Sequence, residues 1–319
     1  MTTSSTRRSF LRLATLSPLA ASASALEPIR RVGGASFQPG LNAYSFLEQL
    51  KANATDPKTG IDLFGVCEFA AKQNIAAVDL TGYFFPGYPA APADSYVNRI
   101  KKHTHDLGLD ISGTGVRNDF ATADKAARAE GVRVTKEWIE VAARLGAPAI
   151  RVFAGPQPPH KDWQAAAPDA ARSDIEAWMA DALRECAVHG EKFGVLVAVQ
   201  NHGDFLNTGA EHVSLLRRVD HPWCGALVDT GKYLTADPYA DIAMVAPYAV
   251  NWQIKETIGS SMKTPRTDFK KLAQIIHDSG YRGYVPIETL SMHRKDYDPA
   301  AEVIRVLAEL RAGIAAIQA

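Results

Sequence analysis

Four segments of this chain end apolar runs on groups that move protons or hold cations. They are Val199-Gln200-Asn201-His202-Gly203, Leu227-Val228-Asp229-Thr230-Gly231, Trp252-Gln253-Ile254-Lys255-Glu256 and Pro286-Ile287-Glu288. Glu288 is the carboxylate best suited to act as a base. Lys255 and His202 are the other catalytic candidates, as base or as positive partner. Asn42, Tyr44, Arg151, Asn201, Lys232 and Trp252 are the candidate binding groups, offering hydrogen bonds and ring faces to a small polar ligand. Polar side chains at the ends of buried runs need a partner or a site, because an unpaired buried polar group is costly. Each also has a structural alternative: Asp-Thr-Gly is a turn sequence, Lys255 and Glu288 can simply pair, and amides make neutral hydrogen-bonding walls.

Strands must place these groups. Short β-rich runs at 40–45, 77–80, 110–114, 149–153, 195–201, 225–228, 250–255 and 284–288 alternate with helical stretches. The helices are expected at 63–73, 96–107, 123–145, 171–193, 210–219, 239–245, 269–279 and 300–317. Unbroken alternation is the mark of a parallel α/β sheet. Eight such units in one domain, with no glycine fingerprint in the first turn at Asn42-Ala43-Tyr44-Ser45-Phe46, predict a single (β/α)8 TIM barrel over 26–319. In such a barrel the four segments all lie at the C-terminal strand ends, where sites form. Proline-rich stretches at 86–92 and 156–159 follow strands two and four at the same end.

The first 25 residues are different. Arg7, Arg8 and Arg12 precede a small apolar stretch and then Ala-Ser-Ala-Ser-Ala at 21–25, the layout of an export signal. Thr6-Arg7-Arg8-Ser9-Phe10-Leu11 resembles a twin-arginine signal, so a periplasmic or secreted protein is expected. Of 35 basic and 35 acidic residues, three basic and no acidic ones fall in this segment, leaving a net charge of −3 on the remainder. That balance offers no general attraction to nucleic acid. Beyond the signal no apolar run is long enough for a membrane span. Cys67, Cys186 and Cys224 cannot all pair and match no zinc or redox spacing, so buried free thiols are expected.

The four segments together resemble strands five to eight of the sugar phosphate isomerase/epimerase family, whose members share the xylose-isomerase-like barrel. The resemblance covers residues 37–315. It implies a divalent metal held by Glu, Asp, His and Glu. Asp229 and Glu288 match the second and fourth of these, whereas Gln200 stands for the first Glu and Gln253 for the His. A glutamine takes no proton, but its amide oxygen can still coordinate, so Gln200, Asp229, Gln253 and Glu288 leave an all-oxygen set that suits magnesium, manganese or calcium. An amide in place of imidazole removes the nitrogen donor that favours transition metals. Weaker metal binding, or none, is therefore expected. The implied activity is isomerisation, epimerisation or elimination on a neutral sugar, polyol or keto-sugar, since no phosphate cradle is present. The alternative is a non-catalytic carbohydrate-binding barrel that has lost its metal site. The related apurinic endonuclease chemistry needs a histidine- and acid-rich zinc cluster and a basic face, which this sequence lacks.

Overall fold

The computed structural model describes residues 26–156, 162–203, 205–259, 266–291 and 295–318. The expected export segment 1–25, residues 157–159 of the second proline-rich stretch and Asp204 lie outside them. The eight strands are β1 (Ser36–Asn42), β2 (Ala77–Thr81), β3 (Asp110–Gly115), β4 (Ala149–Phe153), β5 (Leu196–Gln200), β6 (Cys224–Asp229), β7 (Ala249–Gln253) and β8 (Arg282–Ile287). All pair in parallel, in the order β7-β6-β5-β4-β3-β2-β1-β8. The two ends of that order meet through a parallel bridge between Ile254 and Ile287. There Ile254 N donates to Pro286 O at 2.8 Å and Glu288 N donates to Ile254 O at 2.9 Å. The sheet is thus a (β/α)8 barrel, and its closing seam sets Lys255 beside Glu288.

The helices are α1 (Leu47–Thr55), α2 (Leu63–Lys72), α3 (Asp94–Asp106), α4 (Lys125–Leu145), α5 (Trp163–Ala166), α6 (Arg172–Phe193), α7 (Gly209–Val219), α8 (Pro238–Val245), α9 (Phe269–Asp278) and α10 (Pro299–Gln318). Their ends follow local chemistry. Asp124 caps α4 by accepting from the amides of Ala126 and Ala127, and Gly146 ends it at φ +81°, a left-handed position that glycine takes at little cost. A capping box of Thr208 and Glu211 starts α7. Neither α1 nor the one-turn α5 was expected; α1 buries only Leu50 and so carries little amphipathic signal.

Strand alternation divides the side chains between two environments. Val197 and Val199 of β5, Val228 of β6, Trp252 of β7 and Ile287 of β8 belong to the large apolar layer beneath the helices. Ala149, Ala198 and Leu227 form a separate cluster. The inward positions then become polar: Asn251 donates to Asp79 across the barrel at 3.1 Å. A Cβ on Gly113 would lie 2.6 Å from that carboxylate, which is why β3 has no side chain there. At the opposite end Arg31 ties the N-terminal arm down, donating to Ala249 O at 2.5 Å and stacking on Tyr281. The three cysteines are buried and unpaired; burial pushes the Cys67 and Cys186 thiols up to about 12, so they stay protonated and inert. Among the described residues no helix is long and apolar enough to cross a membrane.

Candidate active site

A cavity of about 630 Å³ opens at the C-terminal ends of the strands. Its floor comprises Gln200, Asp229, Gln253, Lys255 and Glu288, none more than 5 % exposed. Each continues the inward-facing row of its strand, which is why five polar groups from β5 to β8 converge. Gln200 Nε2 donates to Asp229 Oδ2 at 2.8 Å and to Gln253 Oε1 at 2.6 Å. Asp229 needs a donor, so it fixes which way the Gln200 amide points. The Gln200 Oε1 atom is left buried with no hydrogen-bond partner. The other oxygen of Asp229 accepts from Gly231 N at 3.0 Å.

Lys255 completes the floor. Its Nζ hydrogen-bonds Glu288 directly and lies 3.6 Å from Asp229 Oδ2. Burial works against its charge, but the carboxylates of Asp229 and then Glu288 outweigh burial and hold the ammonium protonated above the ordinary lysine range. Lys255 is therefore a fixed cation, which removes the expected option of a neutral lysine base.

Of the other expected residues, Tyr44, Arg151, Lys232 and His202 line the cavity. Arg151 donates to Val116 O at 2.6 Å and to the Tyr83 hydroxyl, with its guanidinium 4.0 Å above the Phe153 ring. His202 packs edge-on against Phe153. Burial, and then Glu288 and Tyr83, push the Tyr44 hydroxyl upward, so it stays a neutral phenol able to donate and accept.

Asn42, Asn201 and Trp252 are not among the lining residues. Asn42 accepts from Tyr44 N at 2.9 Å and from the Thr81 hydroxyl at 3.2 Å, bracing the turn that carries Tyr44. Asn201 clamps the Asp229 backbone in both directions, at 2.9 Å each. Trp252 is fully buried against Tyr281 in the outer layer. Adjacent strand residues face opposite sides, so Trp252 and Gln253 cannot both enter the barrel. These three are corrections to the expected binding set, and all three act from behind the wall.

Other lining groups lie outside the expected set. Arg117 follows β3 and stacks on Tyr83 at 4.8 Å, Glu48 comes from α1, and Thr289 and Tyr297 hydrogen-bond each other at 2.6 Å. A basic residue two positions beyond the third strand was the available signal for Arg117. Nothing local marked α1.

The donor set does not fit the divalent metal implied by the family resemblance. Among the described residues no group of three or more His, Cys, Asp or Glu comes together as a metal site. The Gln200 N–H, not its oxygen, faces Asp229. The Lys255 ammonium, held beside both carboxylates, would repel a divalent ion there.

The comparisons agree with this architecture. Solved structures resemble the chain over nearly their whole length at low sequence identity. D-psicose 3-epimerase with D-tagatose, from Clostridium cellulolyticum H10, aligns at a TM-score of 0.69 and 16% identity, covering 87% of this chain and 99% of the other. L-ribulose 3-epimerase aligns at 0.65 and 17%, covering 88% and 95%. A 3-keto-D-glucoside 4-epimerase from E. coli, in its apo form, aligns at 0.63 and 15%, covering 87% and 99%. No curated protein matches the sequence significantly. The family model described as xylose isomerase-like TIM barrel matches residues 67–310, well over half of the sequence. By that match and by its closed eight-stranded sheet, the chain belongs to the xylose isomerase-like TIM barrel family.

Proposed function

We propose that this protein is a sugar isomerase or epimerase that moves a proton at the carbon beside the carbonyl of a neutral ketose or keto-sugar. The observation that carries this reading is Glu288, a buried carboxylate on the wall of a sugar-sized polar cavity, held in place by a cation. Glu288 takes the proton from carbon, and the electron pair moves onto the carbonyl oxygen to give an enediolate. His202 sits at the end of β5, across the barrel from β8, and lines the same cavity. His202 returns a proton to the opposite face, which inverts the stereocentre, and solvent resets the two groups; return by Glu288 to the neighbouring carbon, with the hydroxyl proton passing between the two enediolate oxygens, gives the isomer instead. A substrate with a leaving group one carbon further on would share the first step and end in elimination. Tyr44, Arg151 and the unpaired Gln200 Oε1 supply the hydrogen bonds that position sugar hydroxyls.

The ketose and keto-sugar epimerases named above share this fold and support that substrate class. Export through residues 1–25 belongs to the same reading and favours a neutral sugar over a sugar phosphate. The test is to incubate the chain from residue 26 with a panel of ketoses and 3-keto-glycosides, following products by NMR beside Glu288→Gln. Conversion by the parent and binding without conversion by the variant are expected. Saturable sugar binding with no conversion by the parent would replace the enzyme with a carbohydrate-binding barrel.

A further inference from the structure

An enediolate needs a positive partner, and the floor of the cavity contains one. We propose that the Lys255 ammonium is a built-in cation that stands where the family resemblance implies a divalent metal, and that this site excludes such an ion. Three observations support the assignment. Lys255 Nζ lies between Asp229 and Glu288, the two carboxylates that match metal-ligand positions, bonded to one and 3.6 Å from the other. Lys255 is only 5 % exposed, so it is part of the floor and not a surface group folded over it. The two remaining ligand positions are amides that have turned to each other: Gln200 Nε2 donates to both Asp229 and Gln253. A cation placed among these groups would meet an N–H and an ammonium where it needs oxygen.

The substitutions are consistent with one another. Replacing Glu by Gln and His by Gln removes negative charge and nitrogen donors, leaving two carboxylates for one resident positive charge. An ammonium has three N–H donors. Glu288 takes one and Asp229 lies beyond hydrogen-bond reach, so donor capacity remains for a substrate oxygen in the cavity that Lys255 lines. This last role rests on the proposed reaction; exclusion of the metal does not.

Calorimetric titration with Mn²⁺ tests the exclusion without reference to turnover. The parent chain is compared with Gln200→Glu and with the double variant Gln200→Glu/Lys255→Ala, all checked for folding by circular dichroism. The parent is expected to show no binding at millimolar Mn²⁺. The double variant, with three carboxylates and no ammonium, is expected to bind one ion, at least 100-fold more tightly than Gln200→Glu alone. One Mn²⁺ per parent chain, lost in Asp229→Asn, would overturn the proposal. So would equal binding by the single and double variants, or none by a folded double variant. If the double variant does not fold, the parent titration decides alone. A sugar-converting parent that binds Mn²⁺ would sink this inference and leave the isomerase reading intact; a metal-free parent without conversion would do the reverse.

Discussion

Two buried polar clusters lie on either side of β5, and they differ in one respect. On the inner side Gln200 faces Asp229, Gln253 and the cavity, and its carbonyl oxygen has no donor. On the outer side His212 of α7 uses both ring nitrogens, with Nδ1 2.9 Å from the Tyr233 hydroxyl and Nε2 3.0 Å from Val199 O. Burial pushes His212 down to about 4, only partly opposed by the Val199 bond, so it is a neutral ring in a closed network. Val199 and Gln200 are neighbours, so His212 holds from behind the strand that presents Gln200 in front. The closed cluster is scaffold; the open one keeps an acceptor free for the ligand of the proposed reaction.

That contrast can be broken or sharpened by substitution. Removing the proposed base by Glu288→Gln should cost at least about 10³-fold in kcat with little change in KM, measured by steady-state kinetics. A fall in KM-dependent binding alone would move Glu288 from chemistry to recognition. Lys255→Met leaves two buried carboxylates uncompensated and should destabilise the fold by about 3–5 kcal/mol at pH 7, read by urea unfolding. His212→Gln should leave KM unchanged and act on stability. Because the folded-state value of His212 lies below the ordinary 6.5, the unfolded chain binds more protons between pH 6.5 and 4. The parent therefore loses stability as pH falls through that window, by about 3 kcal/mol from this group. The gap between parent and variant should close by that amount.

Asp79, beneath the floor, tilts the other way. Burial raises it to about 6, against the opposing pull of Arg151 and Asn251. The folded chain then holds the proton more tightly, so this group costs stability as pH rises from about 4 to 6 and is constant above. Relative to the parent, Asp79→Asn should gain about 2–3 kcal/mol over that rise, seen in melting curves at pH 4, 5, 6 and 7. An unchanged difference across pH would mean that Asp79 is not buried as a lone acid. Opposite slopes in the two variants would show that His212 and Asp79 largely offset each other in the parent.

Much of this is legible in the sequence. The strand at Ala149–Phe153 falls where expected, and all eight expected strands and helices are present, with ends shifted by a few residues. Period-two alternation and late polar residues located Gln200, Asp229, Gln253, Lys255 and Glu288. The same alternation, applied strictly, would have removed Trp252, which neighbours Gln253 and must face the helices. Asn42 and Asn201 were hidden for another reason: whether an asparagine bonds a ligand or a nearby backbone depends on the next strand, not on its own sequence. The Lys255–Glu288 contact arises where β7 meets β8 across the barrel seam, and α1 carries too little apolar surface to announce the helix that brings Glu48 to the rim. Local pattern specified which residues face inward; closure specified which of them meet.

The most direct test of metal-free proton transfer is solvent exchange. The chain from residue 26, dialysed against a chelator, is incubated in D₂O with whichever ketose it converts, and deuterium at the carbon beside the carbonyl is followed by NMR. The account predicts incorporation at the same rate before and after dialysis, abolished in Glu288→Gln. Exchange that stops on dialysis and returns with added Mn²⁺ would contradict it.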